Sequence, residues 1–150
     1  QNFDFGFLNN TIIRDITTKY MNITSINIAT DDDCISLGDG SKQIHVLNDT
    51  CGPWHGISVG SLEKYPNEEL VKGLTVRNCT LNNTDNGCPS KIKISKVTFK
   101  NIIEISATQE GVVLICSSSV PCKDVMLSDI DLKFNGTIAA AKLANVKPIT

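Results

Sequence analysis

Arginine is scarce in this sequence. Only Arg14 and Arg77 occur in 150 residues, and the net charge is −2. That balance argues against a surface built to neutralise nucleic-acid phosphates, so no nucleic-acid partner is expected. Aromatic residues make up 5 %, few for an antibody-like sandwich. No apolar run approaches the roughly 18 residues of a membrane span, so no membrane partner is expected either. No CxxC pair occurs among the cysteines, which leaves a structural zinc site without spacing support; no metal and no other cofactor is expected. Helical periodicity is missing too, since no i, i+3, i+4 pattern is sustained and β-branched residues dominate. The chain opens at Gln1 with neither an initiator Met nor a signal peptide, the expectation for a mature, processed or partial chain. What is present is one domain-sized chain, residues 1–150, with 41 % apolar and 20 % charged residues. Such a chain can bury a core and is not of the disordered class.

The six cysteines (34, 51, 79, 88, 116 and 122) form an even set. Cys116 and Cys122 bracket the loop from Ser117 to Pro121, and Cys34 and Cys51 enclose sixteen residues. Either loop can close as a disulfide, and the longer one stabilises by roughly 3 kcal/mol in the chain-entropy model. Asn-x-Ser/Thr sequons begin at Asn9, Asn22, Asn48, Asn78, Asn82 and Asn135, all candidates for glycosylation. Together these features favour a secreted, extracellular glycoprotein; the competing reading is buried free thiols in a cytosolic domain.

Short alternating runs recur along the chain: Met21-Asn22-Ile23-Thr24, Ile44-His45-Val46-Leu47, Leu74-Thr75-Val76-Arg77, Ile92-Lys93-Ile94-Ser95 and Val125-Met126-Leu127-Ser128. Their first residues lie 23, 30, 18 and 33 positions apart. Strand-like texture at a period of 20 to 35 predicts an all-β solenoid, a right-handed parallel β-helix with Ile and Val inside and Thr, Lys and Asn facing water. The rival is an antiparallel sandwich, for which tight hairpin signals are scarce, Asp39-Gly40 and Asn86-Gly87 being the plausible ones. The 18-residue interval is too short for a full turn, and the interval from Thr11 to Met21 is shorter still. Sequence is expected to be missing at both places, so the β-helix is expected to be incomplete.

The segment Thr30-Asp31-Asp32-Asp33-Cys34 and the segment Cys51-Gly52-Pro53-Trp54-His55-Gly56-Ile57-Ser58-Val59-Gly60-Ser61-Leu62 resemble two signatures of the polygalacturonases, the family-28 glycoside hydrolases. The spacing between them is similar to the family's. Val97-Thr98-Phe99-Lys100-Asn101-Ile102, Leu114-Ile115-Cys116-Ser117-Ser118-Ser119 and Asn145-Val146-Lys147-Pro148 resemble the plant pollen-type exopolygalacturonases. The resemblance covers nearly the whole chain. It implies a secreted, monomeric right-handed parallel β-helix of the cell wall that hydrolyses α-1,4-galacturonan with inversion, its partners being polygalacturonan (pectin) or oligogalacturonides.

Inverting hydrolysis needs a carboxylic acid for the leaving oxygen and a carboxylate to activate water, roughly 6.5–9.5 Å apart. By resemblance, Asp32 is the general acid and Asp33 the water-activating carboxylate. His55 tunes the acid's protonation or touches the sugar, and Gly56 contacts substrate. Adjacent strand residues point to opposite faces, so both aspartates serve one cleft only if the chain bends there. From the residues alone, Asp31-Asp32-Asp33 reads first as a solvated acidic turn before a strand or as part of a Ca²⁺ site. His45, on an alternating strand, is assigned to packing.

The departures from the family weigh as much. Its upstream Asn-Thr-Asp motif is not found, and its place falls in the stretch from Tyr20 to Ile28, read as contracted. Its Arg-Ile-Lys motif follows an Asn-Gly, but Asn86-Gly87 runs directly into Cys88-Pro89-Ser90. Lys91-Ile92-Lys93 imitates that motif, but its neighbours match a later family segment. Asp31, Trp54 and Glu63 stand where the family has glycine or a small residue. Because such groups act as a unit, turnover is expected to fall by orders of magnitude. The alternative is an inactive pectin-binding or antigenic β-helix. The second contraction also leaves Cys79 and Cys88 as an uncertain pair.

Overall fold

Apolar residues at every second position need a dry interior on one side of each strand, and here stacking of successive levels supplies it. The protein, seen as a computed structural model, is described over residues 8–9, 13–16, 19–59, 69–85, 94–116, 118–119 and 121–149, with no helix among them. The first level holds β1 (Leu8–Asn9) and β2 (Ile13–Ile16); the second holds β3 (Met21–Thr24), β4 (Asn27–Ala29) and β5 (Ile35–Leu37). The third comprises β6 (Lys42–Leu47), β7 (Thr50–Cys51), β8 (Trp54–His55) and β9 (Ile57–Val59). Long strands dominate later levels: β10 (Val71–Asp85), then β11 (Ile94–Ser106) with β12 (Glu110–Ile115). Last come β13 (Cys122–Phe134), β14 (Thr137–Ile138), β15 (Ala140–Ala144) and β16 (Val146–Pro148). Each level pairs in parallel with the next, as a coil requires; the exception is the β13–β14 hairpin at Asn135-Gly136. The antiparallel sandwich is thereby excluded.

One column shows how the core is built. Met21, Ile44, Leu74, Val97 and Val125 stand in register and are all buried, while their neighbours Asn22, His45, Thr75, Thr98 and Met126 form the outward column. Burying one such aliphatic side chain stabilises by about 1.5–3 kcal/mol before entropy is counted.

This register corrects the spacing read from sequence. The run that stacks on Leu74–Arg77 is Val97–Lys100, not the one beginning at Ile92. The interval is thus the 23 residues that separate Asn78 from Asn101, not 18. Both runs alternate, and alternation alone does not say which one is paired. The stretch from Tyr20 to Ile28 is not contracted either. Met21 to Ile28 match Ile44 to Cys51 position for position. The loss of a whole coil would leave such a register intact. The contraction after Asn86 is different. Eight residues, 86–93, connect Asp85 to Ile94, where the level before spends 56–70 between their partners His55 and Val71. Residues 86–93 lie outside the described set, and among described residues the sheet β2–β5–β9 is not joined to the sheet β12–β15.

The corners carry a second pattern. Ser25, Asn48, Asn78, Asn101 and Asp129 follow the last paired residues of their runs, and all have φ between 53° and 59°. Asparagine tolerates this left-handed conformation better than most residues. Asn101 donates its side-chain amide to Asn78 (3.0 Å), and Asn78 donates to Asn48 (3.1 Å), so the corner is a hydrogen-bonded ladder. Two of the sequon asparagines, Asn48 and Asn78, thus have side-chain atoms engaged in this exposed ladder.

The next position inward is apolar at Ile26 and Ile102, but is Asp49 on the third level. Asp49 Oδ1 accepts from the Ile26 backbone N–H (2.8 Å), while its buried Oδ2 has no hydrogen-bond partner. Burial pushes this carboxyl up to about 6, against the pull of the Ile26 and Ser25 amides. With the folded value raised, the stabilising contribution is complete below the ordinary carboxylate range and is lost as pH rises through about 6. Asp49→Asn keeps the acceptor and removes the titration. Its melting temperature, measured from pH 4 to 8, is expected to gain on the wild type as pH rises; parallel curves would refute this origin.

Both disulfides read from the loops form: Cys34–Cys51, with Cα atoms 6.0 Å apart, and Cys116–Cys122, at 5.7 Å. Cys79 is a buried free thiol, pushed up to about 11 by burial. Cys88 lies outside the described residues.

Candidate active site

Two neighbouring levels meet at the start of β5 and β9. Ile35, Ser36 and Leu37 pair with Ile57, Ser58 and Val59, and Cys34 N–H extends the ladder by donating to Gly56 O (3.0 Å). Asp33 and His55 are the residues that immediately precede this last bonded pair. The Cys34–Cys51 disulfide fixes the residue after Asp33 to the level that carries His55. The sequence motifs therefore lie on adjacent levels of one coil edge.

The required bend is present. Ile28 pairs with Cys51 and Cys34 with Gly56, so the aspartate level takes one more residue than its neighbour to cover the same stretch. Residues 30–34 leave the strand between β4 and β5 and bend at Asp31 and Asp32. There the Asp33 N–H turns back onto Asp32 Oδ1 (2.8 Å), tying the two aspartates together. Asp32 and Asp33 are half-buried, His55 is exposed and Gly56 is buried. A half-buried carboxylate held by a hydrogen bond can exchange a proton with a ligand while keeping a fixed position.

One contributor escapes sequence reasoning. Ser58 Oγ donates to Asp33 Oδ2 at 2.6 Å and is itself 6 % exposed. Ser36 and Ser58 alternate with inward Ile35, Leu37, Ile57 and Val59, so they face out of the coil, yet both are buried. Ser36 and Ser58 are thus paired on adjacent levels, and Ser58 holds the Asp33 carboxylate. The local signal was only the serine three residues after His55.

The remaining candidates are dispersed. Cys116–Cys122 closes a loop elsewhere, and Asn22, Asn48, Asn78, Asn82 and Asn135 lie on other faces or corners. Asn9 is placed in β1 alone. Asp85 pairs with His55 from the following level, a neighbour not singled out from sequence. Among the described residues no group of three His, Cys, Asp or Glu could hold a metal ion, and His45 lies on β6 against Tyr20 (ring centroids 6.5 Å).

With that geometry in view, the comparisons are specific. A family model described as Glycosyl hydrolases family 28 matches residues 9–89 and 88–149, two pieces that meet inside the contracted stretch. A polygalacturonase of Medicago sativa is 39 % identical over 235 aligned residues, covering 99 % of this chain and 56 % of the relative. That alignment is far longer than the chain's 150 residues, so much of it faces gaps on this side. An exopolygalacturonase of Oenothera organensis is 40 % identical over 85 % of this chain and 49 % of its own length. A polygalacturonase of Gossypium hirsutum is 40 % identical over 87 % of this chain and 44 % of its own. The chain spans about half the length of these relatives. No solved structure matches it.

Proposed function

Because the chain belongs to the glycosyl hydrolases of family 28, we propose that its Asp32–Asp33–His55 edge is a pectin-cleaving site that hydrolyses α-1,4-galacturonan with inversion. The observation that supports this reading is that the residue after Asp33 is bonded to the residue after His55, on adjacent, disulfide-linked levels. Asp32 protonates the leaving glycosidic oxygen. Asp33, steadied by Ser58, takes the proton of the attacking water. His55 bears on the acid's proton or on the sugar, and Gly56 lets the sugar approach the backbone. The two disulfides support secretion, with polygalacturonan of the cell wall as partner and the monomer as working unit.

Turnover is slow in this reading. The family's Asn-Thr-Asp is not found at its upstream place before Ile28, no Arg-Ile-Lys follows Asn86-Gly87, and among the described residues no strand continues the sheet of β5 and β9. Release of reducing ends from polygalacturonate is the test. Slow release, abolished by Asp32→Asn in a protein that melts normally, is the expected result. Release unchanged by Asp32→Asn removes the catalytic assignment. Oligogalacturonate binding with no turnover would instead establish a binding protein.

A further inference from the structure

Beyond the cleft, the register places one lysine on each of five consecutive levels at the same corner. Lys42 pairs with Lys72, and Lys72 pairs with Ser95, which precedes Lys96. Ser95 pairs with Lys123, which follows Cys122; Cys122 pairs with Val146, which precedes Lys147. Lys42, Lys72 and Lys123 thus share one column, broken by Ser95, and Lys96 and Lys147 flank it; five of the chain's twelve lysines form a stripe along the coil axis, on a protein whose net charge is −2. Adjacent levels are spaced roughly 4.7–4.9 Å apart, so like charges are held close at an electrostatic cost.

Nothing in the described residues neutralises most of this stripe. Lys100, Lys133 and Lys142 have carboxylate partners at 3.9, 3.4 and 3.4 Å, and Lys42 is paired with Glu69 at 2.9 Å. Lys72, Lys96, Lys123 and Lys147 are exposed and have no carboxylate within ion-pair distance among the described residues. Lys96 also has a φ of 56°, in a column shared with Gln43, Gly73 and Asp124, where glycine or asparagine would be less strained.

The stripe borders a shallow groove of about 640 Å³ on the outer face, lined by Tyr20, His45, Thr75, Thr98 and Lys96, with Asp124 its one acid. This face follows the corner after β5, whereas Asp33 precedes β5, so groove and cleft are separate. A linear uronate polymer carries one carboxylate per ring, a charge repeat set by one pyranose and of the same order as the rung spacing. We infer that this groove is a second, non-catalytic binding site for linear galacturonan, which lies along the coil axis with its carboxylates on the lysine stripe. The hydroxyls of Thr75 and Thr98 and the rings of Tyr20 and His45 face the sugars. The choice of galacturonan rests on the function proposed above.

The test is calorimetric binding of a de-esterified oligogalacturonate of about ten rings at low and moderate salt, with trigalacturonate hydrolysis measured in parallel. The variant is Lys72→Gln/Lys96→Gln/Lys123→Gln, since Gln43 shows that glutamine is accommodated in the Lys96 column. Affinity for the long ligand is expected to fall about tenfold or more and lose most of its salt dependence, with trimer hydrolysis unchanged. The corresponding triple arginine variant should retain binding. Unaltered affinity in the glutamine variant overturns the inference, and so does equal wild-type affinity for polyglutamate. If only His55→Ala weakens binding, the groove is refuted and the cleft stands. If the wild type neither binds nor cleaves galacturonan, both readings fall.

Discussion

Gly52→Ala is expected to destabilise the protein by about 3 kcal/mol or more, enough to threaten folding. A Cβ at this position would run into the backbone carbonyl of Asn82, reaching oxygen first and its carbon at 2.9 Å, and φ is +146°. Neither wall can retreat. The Gly52 N–H donates to Ile28 O (3.1 Å) on the level before, and its neighbour Cys51 pairs with Leu81 on the level after. Gly136 supplies the control. Its φ is also positive, at +77°, but nothing lies within 4 Å of an added Cβ, so Gly136→Ala should cost only about 1 kcal/mol. Denaturant unfolding of the two variants separates close approach from backbone conformation. Equal losses would show that the levels do not touch at Gly52.

The other large effect concerns catalysis. Asp33→Asn should lower galacturonan hydrolysis by about 100-fold or more with little change in melting temperature. The amide preserves shape and can still accept from Ser58 Oγ, so what is removed is the capacity to take a proton from water. The half-buried position of Asp33 makes a stability cost small, which separates this variant from Gly52→Ala. A hydrolysis rate that survives the substitution would move the base elsewhere.

The coil was legible because its apolar alternation is strong and its intervals repeat, as at Met21, Ile44 and Leu74. Both disulfides, and the placing of the two motifs on adjacent levels, were legible for a related reason: each loop is about a turn or less, so residues at like positions of adjacent turns become neighbours. Register was not readable at β11, where the left-handed residue Lys96 lets two alternating runs compete and only pairing with β10 decides. The asparagine ladder escaped because Asn48 and Asn78 also begin sequons, and the local tripeptide does not report a partner 30 residues away. Asp49 and Ser58 act through atoms contributed by other levels, so neither role was visible locally. The Tyr20–Ile28 stretch misled because its full length shows only against its register partners Ile44 to Cys51 on the next level.

The claim that one cleft unites Asp33 with His55 is tested most directly by a double-mutant cycle on oligogalacturonate hydrolysis. Asp33→Asn and His55→Ala should each lower the rate sharply, and the double variant should be no slower than the worse single one. Losses that multiply in the double variant, or a single substitution that leaves the rate untouched, would mean that the two side chains serve no common reaction.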